Sequence, residues 1–224
     1  MKSTSIQWCD DTINTVTGCD GCELAPRTGE HENRVSYAYV LRQLRGGHHK
    51  GYATNFFEPK MFPGRTAIAT SSVDLTGQRR FDKSWLDGSP RLIFVSALGD
   101  AMSKTIDFLY LRDEIVNVAS GESDKLTALG KVRALKQKWL WLTKQPQRMA
   151  EFSGWISAEG IDWPENLWVG TSVTTQNTCH RLESSIQVGN NRTIRFVSAE
   201  PLWEQVTLSQ VLSTKRTHWV ITGG

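Results

Sequence analysis

The sequence predicts an α/β protein in which repeated βα units curl into an open sheet or a barrel. Two observations carry this. Five short apolar runs after residue 90 each pass at once into small or polar residues. They are "RLIFVSALGD" (91–100), "KWLWLTKQP" (138–146), "NLWVGTSV" (166–173), "IRFVSAEP" (194–201) and "HWVITGG" (218–224). The runs do not alternate apolar with polar, as strands buried on both faces should not. The second observation is what lies between them. "KTIDFLYLRDEIVNVA" follows Ser103, a plausible N-cap, and Gly121 is placed to end it. "QPQRMAEF" and "TCHRLESSIQV" are shorter helical candidates, the second followed by Gly189, and "TLSQVL" is the weakest. Strand, polar loop, helix, strand is the βα repeat.

Ahead of these repeats, "SIQWC" (5–9) reads as the first strand. It leads into "TVTGCDGCEL", a Gly-rich turn that sets Cys19 and Cys22 two residues apart. The region 23–90 is less regular. Its stretch 42–65 mixes Arg42, Arg45, His48, His49, Lys50, Lys60 and Arg65 with Tyr52, Phe56 and Phe57. Cations among aromatics suit single-stranded nucleic acid. A solvated insertion with its aromatics tucked into the core explains the same composition and is preferred. The whole chain reads as one domain, with 1–90 as loop and insertion and 91–224 as βα repeats.

Composition sets the class. The 224 residues can bury one sizeable core, and 26 basic against 23 acidic residues do not demand a polyanionic partner. "MKSTSIQWCDD" lacks the apolar stretch of a signal peptide, and no apolar run reaches the roughly 18 residues of a membrane span. The expectation is a soluble, cytoplasmic protein. Four cysteines, at 9, 19, 22 and 179, are too few for a disulfide scaffold, so the CxxC suggests metal or redox work.

The polar residues that close the strands should converge on one mouth, because the C-terminal ends of parallel strands carry the site in β/α folds. They are Ser96, Asp100, Thr143, Lys144, Thr171, Ser172, Ser198, Glu200 and Thr222. Any one of them could merely cap a helix or start a turn. The recurrence over five strands is the stronger signal. Asp100 and Glu200 could hold a ribose or an amino group, and Lys144 a carboxylate or phosphate. Glu200 could equally be a strand-end carboxylate paired with an arginine.

The CxxC admits several chemistries. A structural zinc site wants four Cys or His ligands. Cys179 with His180, or His48 with His49, would have to supply the second pair, and adjacent ligands are awkward. Thioredoxin-like chemistry needs a helix after the CxxC, and Pro26 interrupts it. An iron–sulfur cluster with one open iron needs only three thiolates. That is the arrangement used to cleave S-adenosylmethionine (SAM) reductively. Cys9 and position 36 are the options for a third ligand.

Eight blocks bear on that choice. In order they are "IQWCDDTINTVTGCDGCEL", "SYAYVL", "KGYATNFFEPKMFPGR", "RLIFVSALGDAM", "LWLTKQPQRMAEF", "NLWVGTSVTTQ", "RFVSAEPL" and "WVITGG". Together they resemble an uncharacterised family of phage- and bacterium-encoded proteins described as radical-SAM-like, and they span essentially the whole chain. The resemblance implies a partial TIM-like (β/α) barrel of the radical-SAM type. It also implies a three-cysteine [4Fe–4S] site and SAM as cofactor, with Gly223 and Gly224 near it. It implies no substrate. Two features depart from the family pattern. Ser36 stands where the family's "CYA" block has its third cysteine, and the chain stops at Gly224 where the family continues with a Glu and further elements. The barrel should then be C-terminally incomplete, with a partner protein as one way to complete it. Three readings of the site follow. Cys9, Cys19 and Cys22 form a relocated triad; Ser36 ligates; or the chain is a truncated, inactive relative. The alternatives to a radical-SAM-like protein are a nucleic-acid-associated phage protein using 42–65 and a zinc-binding structural protein.

Overall fold

The computed structural model describes residues 4–25, 36–44, 51–123, 136–209 and 216–223. Six strands form one parallel sheet. In chain order they are β1 (Asp11–Ile13), β4 (Leu92–Val95), β5 (Lys138–Thr143), β6 (Leu167–Ser172), β7 (Arg195–Ala199) and β8 (Trp219–Thr222), and they pair in that same order. A short antiparallel pair, β2 (Val16–Thr17) and β3 (Lys60–Met61), lies outside it. The register sets Ile13 beside Val95, Val95 beside Trp141, Thr143 beside Thr171, and Ser172 beside Ser198. The strand ends therefore stand in one row.

Strands β4, β5 and β6 are apolar on both faces because each face meets a separate core. One set of side chains, Ile93, Val95, Trp139, Trp141, Leu167 and Val169, packs under helices. Those helices are α3 and α4. Helix α3 covers 108–120 and comprises Phe108–Leu111, a π-helical turn Arg112–Val116 and Asn117–Ser120; α4 is Pro146–Ala158. Leu111, Ile115 and Val118 come from α3, and Met149, Phe152 and Ile156 from α4. The alternate set, Leu92, Phe94, Leu140, Phe196 and Ile221, faces the other way and is covered by Cys9, Leu86, Ile6 and Trp8. Trp8 lies 4.6 Å from Phe94, ring centre to ring centre. Gly170 makes this face possible. A side chain on it would occupy the space of the Phe196 ring.

The sequence reading of the five strands after residue 90 agrees with the structure, and the mostly parallel α/β sheet is present. The sheet is open, with β1 and β8 at its edges, and no barrel closes among the described residues. The first strand is not 5–9 but Asp11–Ile13. The reason is electrostatic anchoring. Asp10 receives both Arg80 Nε (2.6 Å) and Nη2 (3.0 Å), and Asp11 pairs with Arg91. Lys83 donates to the carbonyls of Thr4 (2.8 Å), Ile6 (2.7 Å) and Cys9 (2.5 Å). Residues 4–9 are thereby folded across the inner face instead of extending along it.

The first long helix also starts later than expected. Asp107, not Ser103, caps it, accepting from the Leu109 N–H at 2.6 Å, while the Ser103 hydroxyl donates to the Asp100 carbonyl. Gly121 ends it in the left-handed conformation at φ 86°. The π-helical turn carries Glu114, which is fully buried and accepts from the Gly64 (2.7 Å) and Thr66 (2.9 Å) N–H groups. It thus caps α2 (Arg65–Ala69). The segment 178–188 divides into a 3-10 turn, Gln176–His180, and α5, Arg181–Ser185. Residues 210–212 of the expected 207–212 helix lie outside the described residues. No helix among the described residues is long and apolar enough to cross a membrane.

Two glycine substitutions test this packing. Gly170→Ala must displace the Phe196 ring and should lower unfolding free energy by about 1–3 kcal/mol. Gly154→Ala, within α4 and facing open space, should raise it by about 0.5–1 kcal/mol. Urea titration of both variants checks the pair.

Candidate functional site: a cysteine pocket at the strand ends

The C-terminal ends of β4, β5 and β6 open into a cavity of about 220 Å³. Its floor is Phe94 and Leu142 from the inner face of the sheet. Just past β4, Ser96 adopts φ 67°, a left-handed conformation uncommon for a residue with a side chain. Its N–H reaches the Ile13 carbonyl at 2.7 Å, and its hydroxyl lies 3.5 Å from that of Thr15. Four residues on, the buried Asp100 carboxylate accepts from the Thr143 hydroxyl at 2.8 and 2.9 Å. It also accepts from the N–H groups of Met102 (2.9 Å) and Lys144 (2.9 Å). Asp100 therefore orders the turn after β5.

The cysteine loop is stitched onto this row. Gly18 bonds to the Leu98 carbonyl and to the Asp100 N–H, at 3.0 and 3.1 Å, and a side chain on Gly99 would collide with the Gly18 backbone. The Cys19 N–H then reaches the Phe56 carbonyl (2.9 Å), Gly21 turns at φ 96°, and Cys22 and Ala25 exchange backbone bonds. Glu23 closes the loop. It takes a two-pronged ion pair from Arg181, at 2.9 and 2.7 Å, and a hydrogen bond from the Thr174 hydroxyl at 2.8 Å. Arg181 also donates to the Ser172 carbonyl at 3.1 Å, so the loop is bound to the end of β6. Ser36 joins from the other side. Its N–H bonds to Leu24 (3.0 Å), and its hydroxyl accepts from the Tyr39 N–H (3.4 Å) at the start of α1, Tyr37–Leu44.

Burial dominates the thiols. It pushes Cys19 up to about 12, with the nearby Lys144 charge opposing, and it raises Cys22 in the same way. For Glu23 burial would raise the carboxyl, but the Arg181 hydrogen bonds and charge, with Thr174, outweigh it and hold it at about 2.

Of the strand-end residues expected to converge, Ser96, Asp100, Thr143, Lys144 and Ser172 line this one cavity together with Cys19, Cys22 and Ser36, whereas Thr171, Ser198, Glu200 and Thr222 do not. The family described as "Protein of unknown function (DUF5131)" matches over residues 3–224. The chain belongs to the DUF5131 family. No curated protein and no solved structure matches it.

Several residues of this DUF5131 protein stand elsewhere than expected. Cys9 is fully buried beside Leu86 and Leu92 at the opposite, N-terminal end of the strands, and it does not line the cysteine cavity. Its thiol is also pushed up to about 12 by burial. Glu200 is outside the cavity. Its carboxylate rests against Gly223, in the space a side chain there would fill, with the Ser198 hydroxyl 3.5 Å away, and it forms no arginine pair among the described residues. Gly224 lies outside the described residues. Thr171 donates to the Thr143 carbonyl at 3.0 Å, joining β6 to β5. Cys179 packs by Val173, Leu182 and Val197, away from the other cysteines. No group of three or more His, Cys, Asp or Glu side chains among the described residues is arranged to hold a metal ion. In 42–65, Tyr52 and Phe56 are buried, Arg42 donates to the Thr54 carbonyl, and Arg65 stacks 3.6 Å from the Phe62 ring centre. Arg45, His48, His49 and Lys50 lie outside the described residues. Glu23 and Arg181 are the residues sequence reasoning missed. Glu23 follows the CxxC directly, and that adjacency was its only signal.

The Glu23–Arg181 pair has a pH signature. The folded carboxyl titrates below its ordinary value of 4.5, so its contribution is complete above about 4.5 and is lost as pH falls toward about 2. Glu23→Gln leaves the buried guanidinium without its charge partner and should cost about 2 kcal/mol at pH 7. It should also flatten the acid limb of stability, measured by thermal unfolding against pH. A second outcome concerns strain. Ser96→Gly should stabilise the protein by about 1 kcal/mol by freeing the left-handed backbone, and Ser96→Val should destabilise it, as denaturant melts would record.

Proposed function

We propose that this DUF5131 protein is a radical-SAM-like iron–sulfur protein built on a partial, TIM-like β/α sheet. One observation carries the proposal. The CxxC loop, Ser36 and the ends of three successive strands line a single cavity at the C-terminal edge of a parallel sheet. That edge is where β/α folds hold their chemistry. The partial-barrel reading draws support from the strand order, in which every pair in the sheet is parallel and successive along it. It also draws support from the apolar inner face left between the strands and the Trp8 cover.

The donor set fits a cluster at two of three positions. Cys19 and Cys22 would supply thiolates to a [4Fe–4S] cluster, and Ser36 would supply the third, harder oxygen donor. The bound cluster would provide the electron that cleaves SAM reductively. The remaining work belongs to the chain itself. Phe94 and Leu142 keep water from the cavity floor. Asp100 spends its oxygens on Thr143, Met102 and Lys144, so it positions the β5 turn and does not hold a ligand directly. The Lys144 ammonium, unpaired among the described residues, is left to meet an anionic group of SAM or substrate. Ser96 and Ser172 line the same cavity with hydroxyls.

Anaerobic reconstitution with iron and sulfide, followed by iron counting, tests the proposal. About four irons per chain are expected. Cys19→Ala and Cys22→Ala should each abolish the brown colour, Cys9→Ala should retain it, and Ser36→Cys should increase iron retention. Stoichiometric zinc in place of iron, in both the wild type and Ser36→Cys, would overturn the reading.

A further inference from the structure

A second cavity, of about 640 Å³, adjoins the cysteine pocket and shares Lys144, Gln145 and Arg181 with it. Its walls carry Lys104, Lys144, Arg148, His180 and Arg181 against a single carboxylate, Glu151. Arg181 is already neutralised by Glu23. The Lys104 and Lys144 side chains make no hydrogen bond or ion pair among the described residues. Arg148 is held in place: Nη2 donates to the Ile106 carbonyl at 2.6 Å, and the guanidinium lies 4.5 Å from the Phe108 ring centre. Neither contact neutralises its charge, and its Nε is buried with no partner. Three cations thus face one cavity whose lining holds one acid, Glu151, while the Asp20 carboxylate accepts from the Lys104 backbone N–H without lining it. Like charges gathered on the wall of one cavity repel, and an anion that joins them relieves the repulsion.

The three come from separate parts of the chain. Lys104 precedes α3, Lys144 follows β5, and Arg148 sits in the first turn of α4. A planar carboxylate is satisfied by one guanidinium fork, whereas a phosphoryl group presents three oxygens and up to two charges to donors on several sides. We propose that this chamber binds a phosphoryl group, and that the molecule handled in the cysteine pocket is a small phosphorylated compound. Only the second clause rests on the radical-SAM-like reading; anion binding in the chamber does not need a cluster.

The test uses the full chain as purified, without iron, titrated with inorganic phosphate and pyrophosphate and followed by calorimetry and thermal shift. Saturable binding is expected, tighter for pyrophosphate and weakened by added sodium chloride. Lys104→Gln and Arg148→Lys should each weaken it about tenfold, the loss of one charge-assisted contact. Lys104 is exposed, so its variant should keep the wild-type melting temperature without ligand. Absence of saturation below about 10 mM overturns the proposal. So does unchanged affinity in Lys104→Gln, or acetate and succinate binding as tightly as phosphate. A single-stranded oligonucleotide that binds and is not displaced by pyrophosphate overturns it as well. Iron counting is separate: phosphate binding by a chain that takes up no iron keeps the chamber and removes the cluster, and the converse removes the chamber alone.

Discussion

The Asp100 carboxylate holds the site together. It is buried, and no cation pairs with it among the described residues; its charge rests on one hydroxyl and two backbone N–H groups. A carboxylate left bare in such a place costs several kcal/mol, so the donors must stay where they are. They belong to two different pieces of chain, the loop after β4 and the end of β5. Met102 lies in its own loop, Thr143 ends β5 and Lys144 begins the turn toward α4. The Asp100 N–H meanwhile bonds to Gly18, one residue before Cys19. One residue, through its carboxylate and its backbone N–H, therefore sets the end of β4, the end of β5 and the root of the cysteine loop relative to each other. The close approach depends on glycine at 18 and 99, because a side chain at 99 would strike the Gly18 backbone.

The strands were legible because their burial is unusually uniform. In β5 and β6 almost every position is apolar or small, and the polar residue that breaks each run marks the strand end. What local pattern cannot carry is pairing at the edges. Whether β1 and β8 meet depends on the twist and curvature of the whole sheet, and no residue states it. The N-terminal segment misled for a related reason. "SIQWC" alternates as a strand does, but Lys83, some 74 to 79 positions away, gathers its carbonyls into a cap. The π-helical turn was equally invisible. It presents Glu114 to Gly64 and Thr66, a contact 48 to 50 residues long.

The site was legible wherever strand ends supply it. Ser96, Asp100, Thr143, Lys144 and Ser172 fall together because a parallel sheet in register aligns its ends, and a sequence that shows the ends shows the row. Thr171, Ser198, Glu200 and Thr222 followed the same logic and do not line the cavity. The β7 end lies beside β8, and Gly223, by lacking a side chain, makes a seat for the Glu200 carboxylate away from the cavity. Glu23 and Arg181 escaped because they are 158 residues apart and neither ends a strand. Lys144 gains a particular role from this frame. Its backbone is fixed by Asp100 while its ammonium is left over, on the wall that both cavities share.

Position 36 is held in the frame without help from its side chain. Ser36 stands at the start of α1, where a hydroxyl is a favoured cap and a thiol is a weak one. Its bond to the Tyr39 N–H is 3.4 Å long, well beyond the usual 2.9 to 3.0 Å, so the cap contributes little. The backbone does the holding instead, through Ser36 N–H to Leu24 and Val40 N–H to Ser36, at 3.0 and 2.9 Å. Neither bond depends on the side chain. Serine and cysteine differ little in size, and the hydroxyl is not locked into the helix. The identity of residue 36 is thus nearly free with respect to folding, and its consequence falls on the cavity: a soft sulfur or a hard oxygen beside Cys19 and Cys22. The backbone bonds that hold the helix and the loop at this position are available to either residue.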